Sequence, residues 1–132
     1  LINVASAGTT NNFVTAQLWS APVEGYMSSP VIIDGHSFVH LRNQRFACFD
    51  LKSGEETWRS KPFGKYASLI GSGDKILALD QKGELLLIST NPEKFELIER
   101  RKVGDDSWAH LAVKGKTIII RNLNEVVAYE WE

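Results

Sequence analysis

Three histidines, one cysteine and one pair of adjacent aspartates are the residues of this 132-residue chain best suited to catalysis or metal binding: His36, His40, His110, Cys48 and Asp105-Asp106. His36 and His40 lie an even number of residues apart, so both point to the same face of a strand. No third ligand follows nearby, and we expect an exposed histidine pair, not a metal site. We also expect a buried, inert Cys48 thiol and a solvated acidic loop. The sequence therefore predicts no catalytic, metal or cofactor-binding residue.

Large aromatic residues recur in this chain, since Tyr26, Tyr66 and Trp108 are separated by 40 and 42 residues. Each precedes an apolar or small-residue segment that can form a strand. Equivalent positions in successive repeats would place them along one rim, with three polar neighbours: Ser29, Ser68 and His110. Such a rim can contact a peptide or another protein, because aromatic side chains are enriched in interface cores. The alternative is that these aromatics pack between repeats as core residues.

The composition is that of an ordinary globular domain, with 43% hydrophobic and 23% charged residues. The 15 basic and 16 acidic side chains give a formal charge of −1, so the chain lacks the excess of positive charge that is typical of nucleic-acid-binding proteins. No apolar run approaches the roughly 20 residues needed to span a bilayer. We therefore expect neither nucleic-acid binding nor direct membrane insertion.

Short apolar runs rich in Val, Ile and aromatic residues alternate with tight-turn sequences along the whole chain. The turn sequences are Asp34-Gly35, Ser72-Gly73-Asp74, Lys82-Gly83 and Lys114-Gly115-Lys116. This alternation is typical of antiparallel hairpins. The best helix candidate, residues 91–101, is short. The sequence therefore predicts an all-β fold.

The strand pattern repeats about every 40 residues, as in the 39-residue spacing of Trp19, Trp58 and Leu97. Four short strands at this period are typical of a β-propeller blade. We predict about three four-stranded antiparallel blades in one segment: a terminal strand in residues 1–26, blades at 27–63 and 64–103, and an incomplete blade at 104–132. Propellers have about 4–8 blades, so the segment requires the remaining blades of a larger propeller or a second copy of the chain.

The first repeat carries a specific motif at residues 46–58, FACFDLKSGEETW. It resembles the repeat of PQQ-like, quinoprotein-type β-propellers of bacteria, and is similar to the superfamily of the outer-membrane assembly scaffold lipoprotein. Three residues of the motif have structural explanations. Asp50 can accept hydrogen bonds from the backbone of the turn, Gly54 can supply a positive φ, and Trp58 can pack against the neighbouring blade.

This resemblance implies a C-terminal propeller segment that is non-catalytic and serves as a protein- or peptide-binding or scaffolding module. Two alternatives remain: a fragment of a PQQ-dependent dehydrogenase, and the extracytoplasmic sensor part of a bacterial serine/threonine kinase-related protein. The chain has one cysteine, whereas quinoprotein dehydrogenases often carry an adjacent cysteine pair. PQQ and calcium are therefore not expected. The resemblance also implies an extracytoplasmic or periplasmic location.

Overall fold

The computed structural model describes residues 15–132, which form three consecutive antiparallel sheets. The first sheet contains β1 (Val31–Ile33), β2 (His36–His40), β3 (Arg45–Asp50) and β4 (Glu56–Pro62). The second contains β5 (Ala67–Ser72), β6 (Lys75–Asp80), β7 (Glu84–Ser89) and β8 (Leu97–Lys102). The third contains β9 (Ala112–Lys114), β10 (Thr117–Arg121) and β11 (Val126–Glu130). Strands are in sequence order within each sheet, which confirms the predicted blade architecture.

Glycine turns connect the first two strands of each sheet, where the sequence placed them. Gly35, Gly73 and Gly115 all have a positive φ, between 57° and 75°. This conformation suits a tight hairpin and carries no steric penalty for glycine. The predicted turns are confirmed. The short helix candidate at 91–101 forms no helix, in agreement with the all-β prediction: its second half belongs to β8, which pairs with β7. No helix long and apolar enough to cross a membrane occurs among residues 15–132.

The core lies between sheets, because each sheet presents an apolar face to the next one. The cluster between the first two sheets is dominated by large side chains, including Phe38, Trp58 and Phe63, which meet Ile76 and Ile88. The cluster between the second and third sheets is smaller and aliphatic: Leu79, Leu85, Leu111, Ile118 and Ile120. The two inter-sheet contacts therefore differ in how much aromatic surface they bury.

Two tryptophans make the same contact 39 residues apart. The Trp58 Nε1 donates to the Asn91 carbonyl of the second sheet at 2.8 Å, and the Trp19 Nε1 donates to the Leu51 carbonyl of the first sheet at 2.8 Å. A Cβ atom at Gly54 would lie only 2.7–2.9 Å from the Trp19 ring. Trp19 therefore lies on the first sheet as Trp58 lies on the second. Residues 1–14, which hold the start of the predicted terminal strand, lie outside the described residues.

The turn of the PQQ-like motif has the structure that its residues predict. The Asp50 carboxylate accepts hydrogen bonds from the Lys52 and Ser53 backbone N–H groups at 2.9 and 2.7 Å. These bonds lower the pKa of Asp50. Gly54 closes the turn with a φ of 77°.

The register of the outer strands corrects the predicted equivalence of Trp58 and Leu97. Trp58 is the third residue of β4 and lies opposite Cys48. In the second sheet, the residue opposite the equivalent Leu87 is Glu99, not Leu97. The shift of two residues arises in the loop before the outer strand, since residues 51–55 precede β4 but the longer segment 90–96 precedes β8.

The predicted exposed histidine pair is wrong for His40, whose side chain is 0% exposed. His40 shares a strand face with Phe38, and that face forms the core between the first two sheets. The imidazole contacts the Phe46 ring edge-on at 4.9 Å between centroids. Burial lowers the pKa of His40 to about 4, although the Gln44 and Gly64 backbone groups partly offset this effect.

We expect acid to destabilise the fold through His40. Its pKa is about 4 when folded and 6.5 for an unperturbed histidine, so its contribution is complete above pH 6.5 and is lost as the pH falls toward 4. The loss should reach about 3 kcal/mol of unfolding free energy. Urea unfolding of the protein and of His40→Gln at several pH values measures it. Carboxylates titrate in the same range, so the difference between the two proteins isolates His40. Parallel pH profiles would contradict the prediction.

Candidate binding rim

The six residues of the predicted aromatic rim occupy three kinds of environment. Tyr66 and Ser68 are buried, with 3% and 0% exposure. Tyr26 and Trp108 are partly exposed, at 37% and 38%. Ser29 and His110 are exposed. A partner can therefore reach four of the six side chains, while Tyr66 and Ser68 are covered by the protein itself.

Three of these residues meet where the second sheet contacts the third. The Tyr66 and Trp108 rings stack with centroids 6.2 Å apart and planes at 18°. The His110 ring approaches Tyr66 edge-on at 6.4 Å. Buried Tyr66 therefore packs against both exposed rings. Burial also raises the pKa of its phenol. We call Tyr66, Trp108 and His110 the aromatic cluster.

Asp106, which the sequence predicts in a solvated loop, fixes the orientation of Trp108. Asp106 Oδ1 accepts hydrogen bonds from Trp108 Nε1 at 2.7 Å and from Gln81 Nε2 at 2.9 Å. These two bonds lower the pKa of Asp106, so it is ionised at neutral pH. The Ser107 backbone N–H also donates to the Gln81 carbonyl at 3.0 Å. The loop is therefore fastened to the β6–β7 turn, and Trp108 is held in place before any partner binds.

The serines near the rim connect the sheets. The buried Ser68 Oγ accepts a hydrogen bond from the Leu111 backbone N–H at 3.4 Å. One sheet earlier, the Ser28 Oγ donates to the Ala67 carbonyl at 2.7 Å. Ser68 therefore provides a hydrogen-bond acceptor for the backbone at the contact between sheets. Its side chain is buried and cannot contact a ligand.

Comparison with known proteins identifies the family. Residues 2–60 and 16–132 match the family model described as outer membrane protein assembly factor BamB. The chain belongs to this family. No curated protein matches it at a significant level.

Solved structures confirm the propeller fold of this BamB-family chain. BamB from Moraxella catarrhalis has a TM-score of 0.58 at 14% identity, covering 79% of this chain and 34% of that one. Quinohemoprotein alcohol dehydrogenase from Comamonas testosteroni has a TM-score of 0.59 at 14% identity, with 83% and 20% covered. The computationally designed Ika8 protein has a TM-score of 0.60 at 10% identity, with 76% and 32% covered. The chain spans about a third or less of the length of these proteins.

The remaining chemistry-bearing residues of the BamB-family chain are dispersed or buried. Cys48 is buried as predicted, and burial raises the pKa of its thiol. Asp80 is also buried, and its carboxylate oxygens accept the Gly64 and Glu84 backbone N–H groups at 3.1 and 3.0 Å. Among residues 15–132, no three His, Cys, Asp or Glu side chains are grouped so as to hold a metal ion.

Proposed function

We propose that this chain is a non-catalytic segment of a BamB-type propeller that binds a protein or peptide partner through the aromatic cluster. The observation that carries the proposal is the exposed Trp108 ring, stacked on buried Tyr66 and hydrogen-bonded to Asp106. An aromatic side chain that is already ordered loses little conformational entropy on binding. Tryptophan and tyrosine are also enriched among the residues that dominate binding energy at protein interfaces.

We expect residues 15–132 to hold no quinone cofactor and no calcium ion. Calcium requires six to eight oxygen ligands, whereas the buried carboxylate of Asp80 already accepts backbone hydrogen bonds. The exposed carboxylate of Asp106 is likewise engaged by Trp108 and Gln81. The proposal therefore involves no PQQ chemistry.

The proposal also includes an extracytoplasmic location and a structural partner. The location is supported by the description of the family as an outer membrane assembly factor. The structural partner is supported by β11, which has β10 as its one neighbour among the described strands. An edge strand offers unpaired N–H and C=O groups to another strand. The remaining blades of the parent propeller, or a second copy of the chain, would supply the strand that pairs with β11.

Site-specific photo-crosslinking tests the aromatic cluster. With a photoreactive phenylalanine analogue in place of Trp108, we expect a crosslinked protein or peptide in cells that produce the full-length parent. The same analogue at Ile98, an exposed residue of the outer strand β8, is the matched control. In the protein with its native Trp108, Asp106→Asn should reduce recovery of the crosslinked partner about tenfold, because the indole loses its ionic acceptor. Equal yields at positions 108 and 98 would contradict the proposal.

A further inference from the structure

Residues 17–23 run along the first sheet but belong to none of the three sheets. Trp19 contacts the first sheet as Trp58 of β4 contacts the second. Ala21 and Val23 also pack against the first sheet, so alternate side chains face it, as in a strand. The stretch therefore lies where the outer strand of a preceding blade would lie. We call residues 17–23 the tryptophan segment.

The first sheet and the tryptophan segment together present an uncovered apolar surface. Trp19 is half-buried, whereas the equivalent Trp58 is buried and has the Phe38 ring of its own sheet 5.9 Å away. A cavity of about 970 Å³ is bordered by Trp19 and by the exposed side chains of Leu18 and Ile32. This surface therefore corresponds to one half of a contact between sheets, the half that receives a neighbour.

The third sheet presents the other half of such a contact. In the first sheet, paired residues form a row that faces the second sheet: Val31, Phe38, Cys48 and Trp58. In the third sheet, the equivalent row faces away from the second sheet: Ala112, Ile119 and Ala128. All three are exposed, while the alternate residues Ile118 and Ile120 are buried against the second sheet. The row lacks a fourth member, because β11 has no neighbour besides β10 among the described strands.

Side-chain sizes on the two uncovered surfaces are complementary. In the contact between the first two sheets, a Cβ on Gly71 would lie 3.6 Å from the Val31 Cβ. The residue equivalent to Gly71 on the first sheet is Ile32, since each is the penultimate residue of its strand. The residue equivalent to Val31 on the third sheet is Ala112. A larger side chain on one surface thus meets a smaller one on the other.

The third sheet also has room for an indole. Ala128 and Ile119 occupy the places of Cys48 and Phe38, and both side chains are smaller than those they replace. An indole opposite Ala128 would cover Ile119 as Trp58 covers Phe38. Ile119 is 44% exposed, so this contact would remove apolar surface from water.

The geometry points to head-to-tail association of two copies of the chain, in which the tryptophan segment of one copy becomes the fourth strand of the other copy's third sheet. Trp19 then lies opposite Ala128, and the unpaired edge of β11 gains a strand. The contact repeats the one that already joins the first two sheets within the chain. This association rests on the structural partner included in the proposed function and identifies that partner as a second copy. Because two different surfaces meet, each copy keeps one of them free until the assembly closes.

Sedimentation velocity of the full chain measures the association. We expect dimers or longer assemblies whose share grows with protein concentration. Trp19→Ala and Ile119→Asp, one in each surface, should each weaken the association about tenfold or more. Ile98→Asp changes an exposed apolar residue of the outer strand β8 and should leave the association unchanged. A chain that stays monomeric, or three variants that behave alike, would overturn the inference.

Mixing the two weakened variants tests the head-to-tail geometry and controls for misfolding. The Trp19→Ala protein retains an intact third sheet, and the Ile119→Asp protein retains an intact tryptophan segment. An equimolar mixture should therefore form a dimer that neither variant forms alone at the same concentration, and a mixture that stays monomeric would contradict the inference. Trp108→Ala should associate like the unmodified chain, so the second copy and the partner of the aromatic cluster can fail independently.

A disulfide between copies tests the register of the new strand pair. Ser20 and Val127 should be opposite each other, because the equivalent Arg59 and Ala47 are paired in the first sheet. The protein with Ser20→Cys and Val127→Cys should form a disulfide-linked dimer on mild oxidation, since opposite residues have Cβ atoms about 5 Å apart. The protein with Ser20→Cys and Ile98→Cys is the matched control. Equal amounts of linked dimer in the two proteins would overturn the inference.

Discussion

Replacing Trp58 by alanine should lower the free energy of unfolding by about 3–5 kcal/mol, the range typical of large buried aromatic side chains. The indole is 9% exposed and contacts Phe38 and Phe95 at centroid distances of 5.9 and 5.5 Å. The variant also leaves the Asn91 carbonyl without its donor at 2.8 Å. Chemical denaturation of the full chain measures the loss.

Two further variants separate the contributions to this loss. Trp58→Phe retains an aromatic ring but removes the indole N–H, so it should cost about 1 kcal/mol from the hydrogen bond, plus a smaller packing term. Trp108→Ala removes a ring that is 38% exposed and should cost clearly less than Trp58→Ala. If Trp58→Ala and Trp108→Ala destabilised equally, Trp58 would not hold the first two sheets together.

Replacing Gly83 by alanine should be comparably severe, at about 3 kcal/mol or more. Gly83 has a φ of 76°, and a Cβ there would overlap the Gly104 carbonyl oxygen. The Gly83 carbonyl itself accepts the Val103 and Gly104 backbone N–H groups at 2.9 and 3.2 Å. The Gly104 carbonyl belongs to the backbone and cannot move aside as a flexible side chain would. The variant must therefore separate the β6–β7 turn from the segment after β8.

Gly73→Ala is the matched control for this effect. Gly73 has a φ of 57°, and a Cβ there would meet no atom within 4 Å. It should cost only the conformational penalty of about 1–2 kcal/mol. The difference between the two variants in urea denaturation gives the packing contribution. A Gly83→Ala loss no larger than that of Gly73→Ala would show that the turn is not tightly packed.

The sequence was sufficient to predict the fold because its signals are local. The hairpin glycines, the Asp50 turn and the apolar runs all act within a few residues, and each is in the predicted place. The 40-residue period failed at Leu97 because a period assumes equal loops, and segment 90–96 is longer than segment 51–55. Counted from the first residue of each outer strand, Trp58 in β4 and Glu99 in β8 are both third.

The candidate site was less predictable because it depends on contacts between distant residues. The recurrence of Tyr66 and Trp108 was visible, but the bonds that orient Trp108 join Asp106 to Gln81, 25 residues away. The burial of His40 did have a signal in the sequence. Phe38 lies between His36 and His40 on one face of the strand, and an apolar neighbour on that face indicates the core.

Because the two contacts between sheets are unequal, one of them should separate before the other when the segment unfolds. A large aromatic core joins the first sheet to the second, whereas a smaller aliphatic core, Trp131 and the partly exposed aromatic cluster join the second to the third. A pulling force or a mild denaturant will open the second boundary first and leave the first two sheets as a surviving unit. Proteolytic nicking under such conditions would accordingly begin in the loop that joins β8 to β9.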